Sequence, residues 1–446
     1  MPSPDIFADY MNRLASHRPR ARGLLPIVAA WLAFAGCYDQ APVPGNEASD
    51  RVEVTNDEQE LEQRVTYPET DVPIDGAAQP SAMLDGPARA LGPDGGPALA
   101  PSSITLTLKA EADPPVVNGT TVQATSVWQA SGNRAIVSYG VVGSTALGGI
   151  DLFQVTGGGT PRLRSSATFG DTDILAVSMD DNYVYAAQAS SNDTLAAPAV
   201  IERLLLEGNK LTLAGSVQLP LSSFATTSVA SNGLRLYATT GDAGAVFGVD
   251  PSTMAVLGQY ALDDARWVAF DQPNGRIVVA QGQPGRISVF TEGAFPCSSL
   301  VLENSWPFPG ADVAQSKTTV EVHGGKAFVA AGPEGVQIVC LSNGQVIGSV
   351  PRPDPASLGL DPSVVVTNAV TVQDDLMFIS NGEAGVYAAA ADDSFESDDC
   401  NAPTISVLGR LRFDDLQSAN HVAYLGDQLY VAAGLGGIKI VEVSVR

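Results

Sequence analysis

Histidine and lysine are scarce in this chain. Its 446 residues include three histidines, and only five of the 24 basic residues are lysine. Acids number 49, for a net charge of -25. That excludes a protein that holds nucleic acid by neutralising phosphates, and it disfavours contact with an anionic membrane surface. Four cysteines are too few for a disulfide scaffold or a zinc-ribbon array. Helical periodicity is essentially absent. What is present is 45% apolar residues with 44 glycines and 30 prolines, which describes an acidic, turn-rich β protein with ample material for a core. A chain of this length that is not a repeat array would hold two or three domains.

Residues 1–36 read as a signal peptide that takes no part in the fold. Arg18, Arg20 and Arg22 precede an apolar stretch from Gly23 to Gly36, which is shorter than the about 20 residues a spanning helix needs. The stretch ends in Phe34-Ala35-Gly36-Cys37. Small residues before a cysteine at such a place resemble the bacterial lipoprotein box, which implies diacylation of Cys37 as the mature N-terminus. Two acyl chains anchor stably where one does not. Tyr38 in place of aspartate after that cysteine implies the outer membrane, on its periplasmic or its surface-exposed side. Residues 37–101 are rich in proline, alanine, glycine and acids and show no sustained period. They are expected to be a disordered tether, with a short helix around 57–64 as the one local exception.

From residue 102 onward one pattern recurs. The clearest copy is the last: His421-Val-Ala-Tyr-Leu, the turn Gly426-Asp427, Gln-Leu-Tyr-Val-Ala-Ala-Gly434, then Ile438-Lys-Ile-Val-Glu-Val443. The turn-plus-strand unit begins at Gly132, Asp181, Asn232, Asn274, Gly324, Asp374 and Gly426, at spacings of 49, 51, 42, 50, 50 and 52. Gly, Asn and Asp suit the positive φ of tight hairpin turns, and the flanking Tyr, Val, Ile and Phe suit strands. Antiparallel units of this length, four strands each, are β-propeller blades. The last copy stops after three strands, and the unassigned strand Ser103–Ala110 would supply its fourth. The fold expected for 102–446 is therefore all-β: a seven-bladed propeller of four-stranded antiparallel blades, closed by an N-terminal strand in the last blade.

The third strands Ile438-Lys-Ile-Val-Glu and Val336-Gln-Ile-Val-Cys resemble those of the LVIVD-repeat family over roughly residues 120–446. The resemblance implies an exported or surface propeller and brings no active site. The family's aspartate after Ile-Val is Glu442 in one copy and Cys340 in the other.

Candidate chemistry is sparse. Acids recur in the loops joining each outer strand to the next inner strand: Asp171, Asp173, Asp263, Asp264, Asp312, Asp361, Asp414 and Asp415. In a propeller these loops share one face, so calcium is the candidate ion, with Asp263, Asp264, Asp414 and Asp415 as ligands; otherwise no cofactor is expected. Arg266 is placed to pair with Asp263 or Asp264. Asp171, Asp173, Arg266, Asn420 and His421 are the expected partner-contacting residues at the channel mouth. Ser418 lies near His421, but no nucleophile elbow is visible. The acidic run 392–400 reads as a solvated loop, Trp128, Trp267 and Trp306 read as blade packing, and the glycines 434–437 form a strand-to-strand loop. With Cys37 acylated, Cys340 is expected to pair with either Cys297 or Cys400.

The expectation is a lipid-anchored monomer, attached to the membrane through Cys37, whose ring is a binding or assembly platform for an envelope or extracellular protein or a saccharide. Its working surface would be the acidic mouth. The alternative is a calcium-dependent hydrolase or lyase acting at that mouth.

Overall fold

The computed structural model describes residues 41–44, 51–76 and 103–445, the last apart from 131–132, 143–144, 156–158, 293–299, 311–312, 314–315, 398–399 and 402. The expected signal peptide and Cys37 lie outside these residues.

Seven antiparallel sheets form the ring. Their inner strands are Gln123–Ala130, Thr172–Met179, Ser228–Ser231, Ala265–Asp271, Val320–His323, Ala369–Gln373 and His421–Leu425. The strand Ile104–Ala112 pairs with Ile438–Val445 from Ile438↔Ala112 to Val445↔Ile104, so the first strand of the ring completes its last blade. Hairpin turns fall where the sequence places them, with positive φ at Asn133, Gly233, Gly275, Gly324, Asp374 and Gly426.

The core is divided rather than central. Each of seven buried clusters lies between two neighbouring sheets; Val336, Ile338, Val372 and Met377, for example, fill the space between blades 5 and 6. A sheet covered on both faces needs apolar residues at successive positions, which is why second strands such as Lys326–Ala330 and Leu376–Ser380 read as nearly continuous apolar runs. A register shift recurs between the third and outer strands of every blade, at Ile338/Val339 in blade 5 and Ile440/Val441 in blade 7. The Ile-Val pair of the repeat marks this bulge, which bends and twists the outer strand.

In four blades the loop after the second strand stitches that blade to the next. Gly241, Gly332, Gly382 and Gly434 form isolated bridges to Ala265, Thr367, Ala419 and Ala124 of the following blade. Three residues after Gly434, Gly437 sits at φ +69°, and a Cβ there would come within 2.0 Å of the Ala112 carbonyl. Glycine is required by space as well as by conformation.

Residues 51–76 depart from the expected disordered tether. Together with 41–44 they form a strap around the outside of the ring. Val43–Pro44 pairs with the outer strand of blade 2, and Val52–Thr55 with that of blade 1. A short helix, Glu58–Glu62, is capped by the Asp57 carboxylate, which accepts from the Gln59 and Glu60 amides. Val65–Thr66 and Thr70–Asp71 then pair with Ile104–Ala112 of blade 7, and Ile74–Gly76 with the outer strand of blade 6. The strap thus runs against the order of the blades and crosses the seam between blades 7 and 1.

Two arginines explain why so acidic a segment stays on the ring. Asp151 and Glu202, on the third strands of blades 1 and 2, are completely buried. Arg64 reaches Asp151 with Nη1 at 3.1 Å and Nη2 at 2.5 Å. Arg51 reaches Glu202 with Nη1 at 3.1 Å and also bonds Asp171. Buried carboxylates without a cation are costly, so the ring is incomplete until the strap docks. Arg51→Ala is expected to destabilise the protein by about 3 kcal/mol, because Glu202 then stays buried without its cation. Adding Glu202→Gln should restore part of the loss, as read from guanidinium chloride unfolding midpoints.

Candidate functional site

The inner strands enclose a channel whose two ends differ. At the end formed by the outer-to-inner loops, Thr125, Ser126, Lys317, Thr319, Asn368 and Asn420 are all buried. Several of their hydrogen bonds cross between blades. Asn420 Nδ2 donates to the Ala124 carbonyl at 2.8 Å, Ser418 Oγ donates to Asn420 Oδ1 at 2.9 Å, and Thr319 Oγ1 donates to the Asn368 carbonyl at 3.1 Å. Lys317, from the loop entering blade 5, donates across the channel to the Thr125 carbonyl of blade 1. This polar network plugs the end that the sequence suggested as an open mouth.

The other end is open and mostly apolar. A cavity of about 310 Å³ runs from mid-channel to the hairpin turns, lined by Trp128, Trp267, Phe270, His421, Tyr424 and Leu425 among others. Exposure rises along this path: Asn420 is buried, whereas Leu425 is 51% exposed. Trp128 packs on apolar clusters of the blade 1–2 and blade 3–4 interfaces. Trp267, of blade 4, stacks on His421 of blade 7 with ring centroids 5.4 Å apart and planes 30° from parallel. The two tryptophans are therefore both packing residues and channel lining.

His421 lies beneath the plug, 8% exposed, and its Nδ1 has no hydrogen-bond partner. Burial, reinforced by the positive charge of Lys317, pushes its pKa down to about 3, so the imidazole is neutral at physiological pH.

The acids expected to share one mouth are engaged separately. Asp171 holds Arg51. Asp173 accepts from the Val141 amide at 3.2 Å, and Asp263 from the Ala243 amide at 2.8 Å. Asp264 is bidentate with Arg266, at 3.0 Å to Nε and 2.7 Å to Nη2. Arg266, fully buried, also donates to the Val313 and Ser316 carbonyls and so ties blade 4 to the loop entering blade 5. Asp414 and Asp415 are exposed in a separate polar groove shared with Arg64, Glu111, Asp113 and Lys439. Asp361 accepts from the Ser363 amide, and Asp312 lies outside the described residues. Among the described residues, no group of three or more His, Cys, Asp and Glu side chains is arranged to hold a metal. Asp263 and Asp264 are held by Ala243 and Arg266, and the groove that Asp414 and Asp415 line does not include them. Asn420 belongs to the plug, whereas His421 lies beneath it and lines the open cavity.

Of the two pairings left open for Cys340, the structure forms the disulfide with Cys400, Cα–Cα 5.5 Å; Cys297 lies outside the described residues. The acidic run 392–400 is more than a solvated loop. Glu396 bonds His323 Nδ1 at 2.7 Å while Glu321 holds Nε2 at 2.6 Å, and the Ser397 carbonyl accepts from Lys326. Lys317 is a channel residue that the sequence analysis did not single out. Its available signal was a lysine, in a chain with five, just before an apolar inner strand.

These features define the class of the protein as a seven-bladed β-propeller with a one-sided channel. No protein-family model matches the chain, and no curated protein matches it. Among solved structures, the chain is similar to the WD40 β-propeller domain of Doa1, with a TM-score of 0.48, 10% identity, and coverage of 76% of this chain and 97% of that one. A chain of a mitotic checkpoint complex gives a TM-score of 0.49 at 10% identity, covering 74% and 92%. The computationally designed Ika8 protein gives 0.44 at 11%, covering 76% and 93%.

The rim of the open end carries a pH dependence. Burial alone would lower the His323 pKa, but the hydrogen bond to Glu321 and the charges of Glu321 and Glu396 outweigh it and raise the value from 6.5 to about 9. A pKa raised on folding stabilises fully below the unfolded value and is lost as pH climbs through the folded one. Stability is therefore expected to fall between about pH 6.5 and 9, and His323→Gln should remove that slope from thermal melts recorded across the window.

Proposed function

We propose that the chain is an exported, lipid-anchored propeller, diacylated at Cys37, that serves as a binding or assembly platform at the bacterial outer membrane. The observation that carries the binding reading is the polarity of the channel, plugged at one end and open to solvent as an aromatic-lined chamber at the other. The working surface in this reading is the hairpin-turn face, opposite the acidic loops. Export is supported by the basic and apolar stretch ending in Phe34-Ala35-Gly36-Cys37 and by the Cys340–Cys400 disulfide, which persists in an oxidising compartment. The likeness of the Ile-Val third strands to the LVIVD repeats belongs to the same proposal. The partner in this reading is an envelope or extracellular protein or a saccharide.

The anchor is tested by Cys37→Ala. The expected result is loss of palmitate labelling and transfer of the protein from the membrane fraction to the soluble one. An unlabelled wild type would sink the anchor. The platform is tested by crosslinking in intact cells, comparing wild type with Leu425→Glu, which places a charge on the chamber rim. A specific crosslinked partner is expected in the wild type and should be lost in the variant; a partner retained undiminished would remove this face as the working surface.

A further inference from the structure

The channel chamber has a chemistry more specific than its apolar lining. Trp128, Trp267, Phe270 and Tyr424 supply flat faces, and such faces take planar rings at low entropic cost. A volume of about 310 Å³ equals roughly ten waters at about 30 Å³ each, which suits a single substituted ring rather than a chain or a fused system.

The polar group at the deep end is His421. Neither of its ring nitrogens has a hydrogen-bond partner, and Nδ1 is sealed from solvent. A sealed, unpartnered N–H is more costly than a sealed lone pair, because orphaned buried donors are the rarer case. The proton therefore belongs on Nε2, and the imidazole edge turned to the chamber is a donor. Lys317, buried just beyond it and close enough to act on its charge state, makes that end of the chamber electropositive in a chain of net charge -25. A cationic ligand is repelled there. A full carboxylate would lose its hydration for a single donor, which is unfavourable. A neutral acceptor meets both conditions.

We propose that the chamber is a binding site for small neutral aromatic carbonyl compounds, with the ring between the channel aromatics and the carbonyl oxygen accepting from His421 Nε2. This deepens the reading of the ring as a binding module and rests on it. It does not depend on the anchor, so the fate of the Cys37→Ala experiment leaves it untouched.

The test is isothermal calorimetry on the purified full-length protein with three probes of nearly one shape: acetophenone, ethylbenzene and 1-phenylethylammonium. Acetophenone is expected to bind saturably, roughly five- to tenfold tighter than ethylbenzene, the ratio one hydrogen bond gives. The ammonium probe should be the weakest. His421→Phe should equalise acetophenone and ethylbenzene while keeping ethylbenzene binding. Ala423→Trp, which fills the chamber from the same strand, should abolish binding by all three, and a retained thermal transition shows that each variant is folded. No saturable binding by any probe at millimolar concentration overturns the site. Equal affinity for acetophenone and ethylbenzene in the wild type overturns the role of His421, and a preference for the ammonium overturns the polarity assigned to the chamber.

Discussion

Every other feature of this molecule depends on closing a circle. A linear row of seven sheets would leave one face of its first and last members bare, and both are largely apolar. Pairing Ile104–Ala112 with Ile438–Val445 turns that row into a ring and creates the seventh interface, where Val127, Phe153, Tyr430 and Ile440 are buried together. With all seven interfaces present, the inner strands converge and a channel exists to be plugged or left open. The strap, crossing the same seam, adds hydrogen bonds on the outer edges of the two blades whose contact is made last.

The ring was legible because its physics is periodic. Turn residues needing positive φ, such as Asn133 and Asp374, recur at the blade spacing, and apolar strands lie between them. The strap was not legible because it has no period. It contacts the ring through strands of two to four residues, and its buried side chains Val52, Leu61, Val65 and Val72 are spaced by whichever blade lies beneath. Its tie to the ring is electrostatic and long-range in sequence. Arg64 and Asp151, 87 residues apart, carry no local sign of each other. A composition that describes a solvated segment was outweighed by two cations that answer two buried acids.

The channel shows the same division. Loop acids on one face could be read from position alone, but what they do depends on which amide or arginine lies within reach. The Asp264–Arg266 fork and the Val141–Asp173 contact use these carboxylates to fix backbone, so the acidic face is chiefly architecture. The aromatic chamber was hidden for the opposite reason. Trp128 and Trp267 look like core residues in sequence and are core residues in part, but their position on inner strands places them at the axis, where seven blades leave space that side chains must fill or leave.

The strand that closes the ring has a pattern unlike its neighbours. Ile-Thr-Leu-Thr-Leu-Lys-Ala-Glu-Ala alternates strictly between buried and half-buried positions, whereas its partner Ile438–Val445 is buried at its first four positions. Its partner strand lies roughly 330 residues later in the chain. At about 5 to 20 residues per second the ribosome takes on the order of half a minute to deliver it. For all that time one edge of the closing strand is free, while the other has only the short strap strands Val65–Thr66 and Thr70–Asp71 to pair with. Its threonines, Lys109 and Glu111 put polar atoms at every second position, the kind of interruption that discourages self-association of a waiting strand. The polar positions of the strand thus suit its place in the chain, far ahead of the partner that completes its blade.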